Sequence, residues 1–336
     1  MGPMTREDSF VRRLVGELPR CERVLVGPGD DAAVVAATAG PLVLTTDLLV
    51  EGVDFLPGED PFAIGRRAMA VNLSDLAAMG AVPEHFLLSI GFRAGRGEDY
   101  ALAIARGALS RATPLHTALV GGDLSSADRT IVSIALGGRL AGNPLLRSGA
   151  RAGDLLYLSG FPGRASAGLA LARARAGGSA PPAGLSEDAV RELVAAFRDP
   201  EPRLALGQAL AKGGRARAAI DVSDGLGLDA ARLADASGLR AVLESDRLPV
   251  SPALAAFARA SGEDPIEMIL AGGDDYEILF AVSPGNAGEI PAAGPDGVPV
   301  RRIGRLEEGR GAVLRSAAGD RDVGGLGWDH FEGAGE

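Results

Sequence analysis

Aspartates that directly follow apolar or glycine-containing runs are the residues of this sequence best suited to chemistry. Three of them lie in its first half, at Asp31, Asp47 and Asp123. Carboxylates at strand ends are held by a rigid element and still reach solvent, which is where ligand sites on sheets gather. Carboxylates facing one cleft repel each other, and Mg²⁺ relieves that repulsion by binding them together with hydroxyls, here Thr45 and Thr46, and phosphate oxygens. The pattern therefore favours a magnesium site that handles a phosphorylated ligand.

Asp75 lies where a helix is expected to bury apolar side chains. An aspartate at Asp60, a proline at Pro61 and a glycine at Gly80 are typical of the start and the end of a helix, which predicts a helix over 61–79. At 100° per residue, Asp75 shares a face with apolar residues, namely Ile64, Ala68, Val71 and Met79. Two interpretations stay open, a buried carboxylate satisfied by a backbone amide or an arginine, and a metal ligand.

The segment 219–226 ends a strand and begins a helix, and it carries Asp221, Ser223 and Asp224. In one interpretation Ser223 or Asp224 caps the helix. In the other, the free amides at the helix N-terminus face phosphate and the two aspartates hold metal ions. Both can hold together. Two interpretations also stay open for Arg147: it is either a solvated arginine or a guanidinium that binds two oxygens of a polyphosphate.

Composition excludes several function classes. The formal net charge is −10, and no basic stripe suited to nucleic acid occurs. Cys21 is the only cysteine and there are three histidines, which argues against a disulfide framework and a zinc site. No apolar run is long enough for a membrane span, and no secretory core is found near Met1, so we expect a cytoplasmic protein without a membrane partner. The P-loop pattern Gly-x-x-x-x-Gly-Lys-Ser/Thr is absent.

The elements that must position these residues alternate between apolar runs and helical patterns. With 336 residues the chain exceeds what one core usually organises, so we expect an N-terminal domain over 1–148 and a C-terminal domain over 149–336. The pattern is typical of an α/β or α+β fold. It predicts strands over 42–47, 86–92, 118–123, 130–140, 154–159, 216–221 and 276–282, and helices over 61–79, 98–112 and 225–236.

Motifs spread over nearly the whole chain resemble those of the thiamine-monophosphate kinase family. The segment 70–81, Ala-Val-Asn-Leu-Ser-Asp-Leu-Ala-Ala-Met-Gly-Ala, is highly specific for this family. Gly-Gly-Asp is shared across the superfamily, which includes aminoimidazole ribonucleotide synthetase. The matching segments are 29–32, 45–53, 70–81, 121–123, 147–150, 220–226, 272–277 and 328–331.

The resemblance implies a fold, an activity and partners. The fold is the two-domain aminoimidazole ribonucleotide synthetase-like fold, whose N-terminal sheet forms an intersubunit barrel in a homodimer. The activity is ATP-dependent phosphorylation of thiamine monophosphate to thiamine diphosphate, with several Mg²⁺ ions and a monovalent cation such as K⁺. Two alternatives stay open, another ATP-dependent synthetase of the superfamily and a non-catalytic nucleotide-binding relative.

The resemblance also implies roles for individual residues. Metal ions are expected on Asp31, Thr45, Thr46, Asp47, Asp75, Asp123, Asp221 and Asp224. ATP is expected on Gly122, Asp123, Arg147 and Ser223. The substrate is expected on Asp54, Asp274 and Trp328, although Asp54 stands where histidine is common. No protein base is expected, because a phosphate monoester has a second pKa of about 6 and is already largely deprotonated. The matched motifs offer no candidate nucleophile, which favours direct in-line transfer.

Overall fold

The computed structural model describes residues 6–28, 33–37 and 40–329. The chain divides into two compact units. Unit 1 comprises Met1–Leu76 and Ala81–Leu140, and unit 2 comprises Ala77–Gly80 and Ala141–Glu336. The structural division therefore follows Leu140, whereas the sequence places the boundary after residue 148. Within the described ranges, none of the helices is both long enough and apolar enough to cross a membrane.

Unit 1 is built on a four-stranded sheet. Its strands lie in the order β3-β6-β4-β5, with β3/β6 and β6/β4 antiparallel and β4/β5 parallel. A separate antiparallel pair is formed by β1 and β2. The elements are α1 (Arg6–Glu17), β1 (Val24–Val26), β2 (Val34–Val35), β3 (Leu42–Val50), α2 (Pro61–Ala78), β4 (Ala81–Phe92), α3 (Glu98–Ala112), β5 (Ala118–Ser126) and β6 (Ile131–Leu140).

Helix α2 begins as the sequence predicts, because Asp60 Oδ1 accepts the N–H of Phe62 at 3.2 Å. It packs against α3 through glycines. A Cβ on Gly65 of α2 would lie 1.9 Å from a carbonyl oxygen of α3, and a Cβ on Gly107 of α3 would lie 2.0 Å from one of α2. Only glycine permits this backbone approach, so the glycine pair fixes the packing of the helix that carries Asp75.

One face of the four-stranded sheet exposes large apolar side chains. Leu42, Leu44 and Leu48 of β3 are 52%, 69% and 56% exposed, and Leu87 of β4 is 44% exposed. They share one face because alternate residues of a strand point to the same side. We refer to Leu42, Leu44, Leu48 and Leu87 as the outer apolar face.

Unit 2 combines a seven-stranded sheet with six helices among its described residues. The strand order is β13-β12-β9-β11-β7-β10-β8, in which β9 and β12 pair parallel and the other neighbours pair antiparallel. The elements are β7 (Leu155–Ser159), α4 (Arg164–Ala176), α5 (Glu187–Arg198), α6 (Leu204–Gly213), β8 (Ala216–Val222), α7 (Leu226–Asp235), β9 (Leu239–Glu244), α8 (Pro252–Ser261), α9 (Pro265–Ala271), β10 (Glu277–Val282), β11 (Val300–Glu308), β12 (Ala312–Ser316) and β13 (Gly319–Asp322).

The core of unit 2 lies between this sheet and its helices, with Leu158, Leu193, Leu233 and Leu279 fully buried. The strands over 42–47, 86–92, 118–123, 130–140, 154–159 and 216–221 are confirmed, with ends shifted by a few residues. The strand predicted from Tyr276 begins one residue later, because Tyr276 has a φ of 52°, which is not extended backbone. The expected mixture of helices and sheets is confirmed.

Candidate active site

Strand β3 and helix α2 meet at residues predicted to bind metal. Thr45 Oγ1 donates a hydrogen bond to Asp75 Oδ2. One turn earlier on α2, the fully buried Asn72 accepts the backbone N–H of Asp47 at 3.1 Å and donates to the carbonyl of Ala68 at 2.9 Å. Asn72 therefore fixes the helix against the strand. Thr45 and Asp47 are two residues apart on β3 and face the same side, so unit 1 brings oxygen donors of Thr45, Asp47 and Asp75 together.

Asp123 lies at the opposite edge of the same sheet. Across β3, β6, β4 and β5, Asp47 shares a row with Gly122, and Leu48 shares the next row with Asp123. Each row spans three strand spacings, or about 14 Å. Leu48 belongs to the outer apolar face, so Asp123 lies on that face while Asp47 lies on the other. Unit 1 thus does not bring Asp123 together with Asp47, and Thr46 is likewise exposed on the outer face.

A cavity of about 730 Å³ adjoins Asp123. Its walls are largely apolar, and Gly121, Gly122 and Asp123 line it from β5. The apolar wall is formed by residues that include Phe10, Leu14, Val35, Leu87 and Leu119. An apolar cavity with a few polar groups is typical of a site for a small organic ligand.

The predicted metal ligands are oxygen donors that belong to both units. Within residues 6–28, 33–37 and 40–329, no group of three or more His, Cys, Asp or Glu side chains could hold a metal ion. Asp31 lies outside the described residues. The structure therefore contributes small groups of oxygen donors in each unit, such as Thr45 with Asp75, which suit a hard cation that also takes oxygens from its substrate.

In unit 2, one loop connects three of the predicted segments. Val222 is the last residue of β8, and Ser223 and Asp224 follow it; the carbonyl of each accepts a backbone N–H from another part of the chain. Tyr276 donates to Val222 at 2.8 Å, Asp274 donates to Ser223 at 2.7 Å, and Trp328 donates to Asp224 at 2.9 Å. The segments that carry the predicted metal, ATP and substrate residues of unit 2 are thus joined through their backbones. We call 222–224 the junction loop.

Asp229 binds the backbone of the junction loop. This residue was not identified from the sequence. Its Oδ2 accepts the N–H groups of Ser223 and Asp224, both at 3.0 Å, and its Oδ1 accepts from Arg232 Nη1 at 2.8 Å. Arg232 also donates to Asp224 Oδ2. Burial raises the pKa of Asp229 and outweighs the opposing effect of these hydrogen bonds. The available signal was an acidic residue in the first turn of α7 among apolar neighbours.

The structure corrects one of the two interpretations of the start of α7. The N-cap residue is Gly225, and no side chain forms a cap hydrogen bond there, so neither Ser223 nor Asp224 caps the helix. Asp229 accepts the amides of Ser223 and Asp224, which precede the helix. The interpretation that the amides of the helix N-terminus face phosphate stays a prediction. Asp221 itself is 5% exposed at the end of β8.

Asp274 lies in a segment with unusual backbone geometry. Asp274 and Tyr276 have φ values of 67° and 52°, which residues other than glycine rarely adopt. The Tyr276 hydroxyl donates to Asp274 Oδ1 at 3.0 Å. Between them, Asp275 points inward and accepts the N–H groups of Gly163 and Ala165 at 2.6 and 3.3 Å. Burial raises the pKa of Asp275 to about 8.

A buried ion pair follows this segment directly. Glu277 is 1% exposed, and Arg203 donates to both of its oxygens, at 2.6 and 2.7 Å. Ser159 Oγ donates to Glu277 Oε2 at 2.6 Å. Burial lowers the pKa of Arg203, but the Glu277 carboxylate outweighs it and the pKa is raised. The start of β10 is therefore anchored by a charged, bidentate contact.

Three further predicted residues occupy simpler surroundings. The Asp54 carboxylate accepts the N–H of Val50 at 2.7 Å and so closes the turn after β3. Arg147 is exposed in unit 2. Its neighbour Leu146 is fixed to β8, because the Leu146 carbonyl accepts the N–H of Ala219 at 2.8 Å. Trp328 is 38% exposed.

Comparison with known proteins places the chain in a family. Residues 29–140 match the family model described as AIR synthase related protein, N-terminal domain, and residues 151–316 match the C-terminal domain of the same description. A thiamine-monophosphate kinase of Mycobacterium tuberculosis is 38% identical over 97% of this chain and 91% of its own length. The chain belongs to the thiamine-monophosphate kinase family.

Solved structures agree with this family. The crystal structure of thiamine-monophosphate kinase from Stenotrophomonas maltophilia K279a aligns with a TM-score of 0.78 and 33% identity, covering 92% of this chain and 96% of that one. A structure of AaThiL complexed with AMPPCP and TMP aligns with a TM-score of 0.77 and 30% identity, covering 97% and 96%. The two-domain AIR synthase-like fold of the thiamine-monophosphate kinase family is thereby confirmed for this chain.

Proposed function

We propose that this chain transfers the γ-phosphoryl group of ATP directly to the phosphate of thiamine monophosphate, which gives thiamine diphosphate and ADP. Relatives named thiamine-monophosphate kinase align with this chain over nearly their whole length. One such relative binds AMPPCP, an analogue of ATP, together with TMP. In this chain the proposal is supported by the junction loop, whose carbonyls accept hydrogen bonds from the backbone N–H groups of Asp274 and Trp328.

Mg²⁺ is the cation that we assign to the predicted metal-binding residues. The donors are all hard oxygens, from Thr45, Thr46, Asp47, Asp75 and Asp123 in unit 1, from Asp221 and Asp224 in unit 2, and from Asp31. When bound, Mg²⁺ would neutralise charge on the phosphates and orient them.

The cavity beside Asp123 is our candidate for the nucleotide. Its apolar walls suit a planar base. Gly122 lacks a side chain, so the backbone of β5 can approach a phosphate closely. Arg147 and Ser223 are assigned to the polyphosphate, since a guanidinium and a hydroxyl both donate hydrogen bonds to phosphate oxygens.

The acceptor needs little from the protein besides its position. Its phosphate monoester has a second pKa of about 6, so an unprotonated oxygen is available at neutral pH without a protein base. Asp274 offers a carboxylate and Trp328 an aromatic face, which suit the cationic thiazolium ring of thiamine. Asp54 is assigned to the same ligand. Because holding the two ligands in line is the main requirement, we infer transfer without a phosphoenzyme.

We further propose a homodimer and a cytoplasmic location. The outer apolar face of Leu42, Leu44, Leu48 and Leu87 is a contiguous surface that a second copy of the sheet would cover. Leu44→Glu should then lower the sedimentation coefficient to that of a monomer. Leu25→Glu, which changes a 64% exposed leucine of β1, is the matched control. Unchanged sedimentation of the Leu44→Glu variant would contradict the dimer.

The proposed location is the cytoplasm, because it is the compartment where ATP is abundant.

The function is tested by measuring ADP release from ATP and Mg²⁺ with and without thiamine monophosphate, in K⁺ and in Na⁺. Stimulation by thiamine monophosphate, with thiamine diphosphate identified as the product, is expected. Asp274→Asn should raise the KM for thiamine monophosphate more than that for ATP. ATP binding without any stimulation would refute the proposed acceptor. A labelled protein trapped after incubation with γ-labelled ATP alone would refute direct transfer.

A further inference from the structure

Asp229 has a buried carboxylate whose oxygens are engaged by the junction loop and by Arg232. Its side chain is 1% exposed, and one oxygen accepts two consecutive backbone N–H groups at 3.0 Å, those of Ser223 and Asp224. Hydrogen bonds to a charged acceptor are about twice as strong as neutral ones. The conformation of the junction loop therefore depends on this one side chain.

The carbonyls of the same loop extend this dependence to the candidate substrate residues. Ser223 accepts from the N–H of Asp274 at 2.7 Å, and Asp224 accepts from the N–H of Trp328 at 2.9 Å. The approach is close, because a Cβ on Gly273 would lie 2.5 Å from the Ser223 carbonyl oxygen and one on Gly327 would lie 2.9 Å from that of Asp224. A shift of the junction loop must therefore move both neighbouring segments.

Arg232 balances the charge beneath this arrangement. Its Nη1 donates to Asp229 Oδ1 at 2.8 Å and also to Asp224 Oδ2. Without that guanidinium, two carboxylates would face each other across a short loop, one of them buried, which is costly. The shared guanidinium allows Asp229 to remain close to Asp224 without repelling it.

We propose that Asp229 is a positioning residue for the acceptor site, which sets the places of Asp274 and Trp328 through the junction loop. This inference rests on the proposed function, because it takes Asp274 and Trp328 as the residues that meet thiamine monophosphate. Asp229 itself does not touch the reacting atoms. Its effect should therefore appear in the binding of the acceptor as well as in the rate.

The test compares Asp229→Asn with Asp235→Asn. Asp235 lies on the same helix and also accepts a backbone N–H, that of Gly311 at 3.0 Å, but it does not contact the junction loop. For Asp229→Asn we expect a rise of at least about tenfold in the KM for thiamine monophosphate. We expect the KM of Asp235→Asn for thiamine monophosphate to stay within about twofold of the wild-type value. A merely structural role would lower the active fraction and leave KM unchanged.

Amide hydrogen exchange gives a second measurement that does not need activity. The N–H groups of Asp274, Tyr276 and Trp328 should exchange faster in Asp229→Asn than in Asp235→Asn at equal urea midpoints. Arg232→Lys, which keeps the charge, should change the KM and the amide exchange in the same direction as Asp229→Asn but by a smaller amount. Arg232→Lys replaces Asp229→Asn if the latter variant does not fold. Unchanged KM and unchanged exchange would overturn the inference. A wild-type protein that ignores thiamine monophosphate would instead refute the proposed function, and the exchange result would still decide whether Asp229 holds the loop.

Discussion

Replacing Glu277 by glutamine is expected to lower the free energy of unfolding by about 3–5 kcal/mol, the cost of breaking a buried ion pair from one side. Arg203 donates to both oxygens of Glu277, and Ser159 donates to one of them. Glutamine keeps the volume of the side chain but loses its charge and turns one acceptor into a donor. The guanidinium cannot become neutral, because arginine does not lose its proton in proteins. A buried cation thus loses its paired carboxylate and keeps only the weaker attraction of Asp296 and Glu201.

The reverse change should cost less. In Arg203→Met the Glu277 carboxylate keeps the hydrogen bond from Ser159 and the charge of Arg164, whose Nη2 lies 3.7 Å from Glu277 Oε1. The loss of unfolding free energy in Arg203→Met should therefore be smaller than that in Glu277→Gln.

Urea unfolding of both single variants and the double variant measures these costs, each against wild type at the same pH. Glu267→Gln is the matched control, because Glu267 pairs with Arg321 at the surface with side chains 45% and 48% exposed. An exposed pair contributes less than about 1 kcal/mol. If Glu277→Gln cost no more than Glu267→Gln, the argument that the buried pair anchors β10 would be refuted.

Three other changes test the site and its support. Asp75→Asn should raise the Mg²⁺ concentration for half-maximal rate at least about tenfold while the urea midpoint stays near wild type, and a loss of folding would favour a purely structural Asp75. Gly65→Ala should cost about 1–3 kcal/mol in urea unfolding, because its Cβ would lie 1.9 Å from the Ile104 carbonyl oxygen, whereas Gly16→Ala, with nothing within 4 Å, should cost nothing. Burial raises the pKa of Asp275 to about 8, so the folded state keeps a proton that the unfolded state loses near pH 4, and stability should fall by up to about 1.4 kcal/mol per pH unit between these values. Asp275→Asn should flatten that dependence, and an unchanged slope would show that another group causes it.

The sequence predicted the elements of unit 1 from β3 to β6 by local signals, but it did not predict α1, β1 or β2. An aspartate N-cap and apolar residues at helical spacing indicate α2, and a short apolar run indicates β3, so Asp75 could be recognised as unusual before its partner Thr45 was known. Sheet order could not be recognised in this way. Whether Asp47 and Asp123 lie together depends on the order β3-β6-β4-β5, and no local pattern encodes which strands are neighbours.

The residues that the sequence missed are acids held by hydrogen bonds within the fold. Asp229, Asp275 and Glu277 look like any other acidic residues in the printed sequence, because their partners are backbone amides or an arginine far away in the chain. The positive φ values of Asp274 and Tyr276 were equally hidden, since they result from tertiary contacts that override the local preference of those residues.

The acids of unit 2 differ in whether backbone amides occupy their oxygens. Asp275 and Asp229 each accept two backbone amides, and each lies near an acid assigned to a ligand, Asp274 and Asp224 respectively. A carboxylate whose lone pairs are taken by amides has little left for a cation or substrate, but it fixes the backbone from which its neighbour projects. Substitution of an acid assigned to a ligand should therefore change what is bound. Substitution of Asp229 or Asp275 should change the position of the binding group, so the two kinds of variant should separate when KM and amide exchange are measured on the same protein.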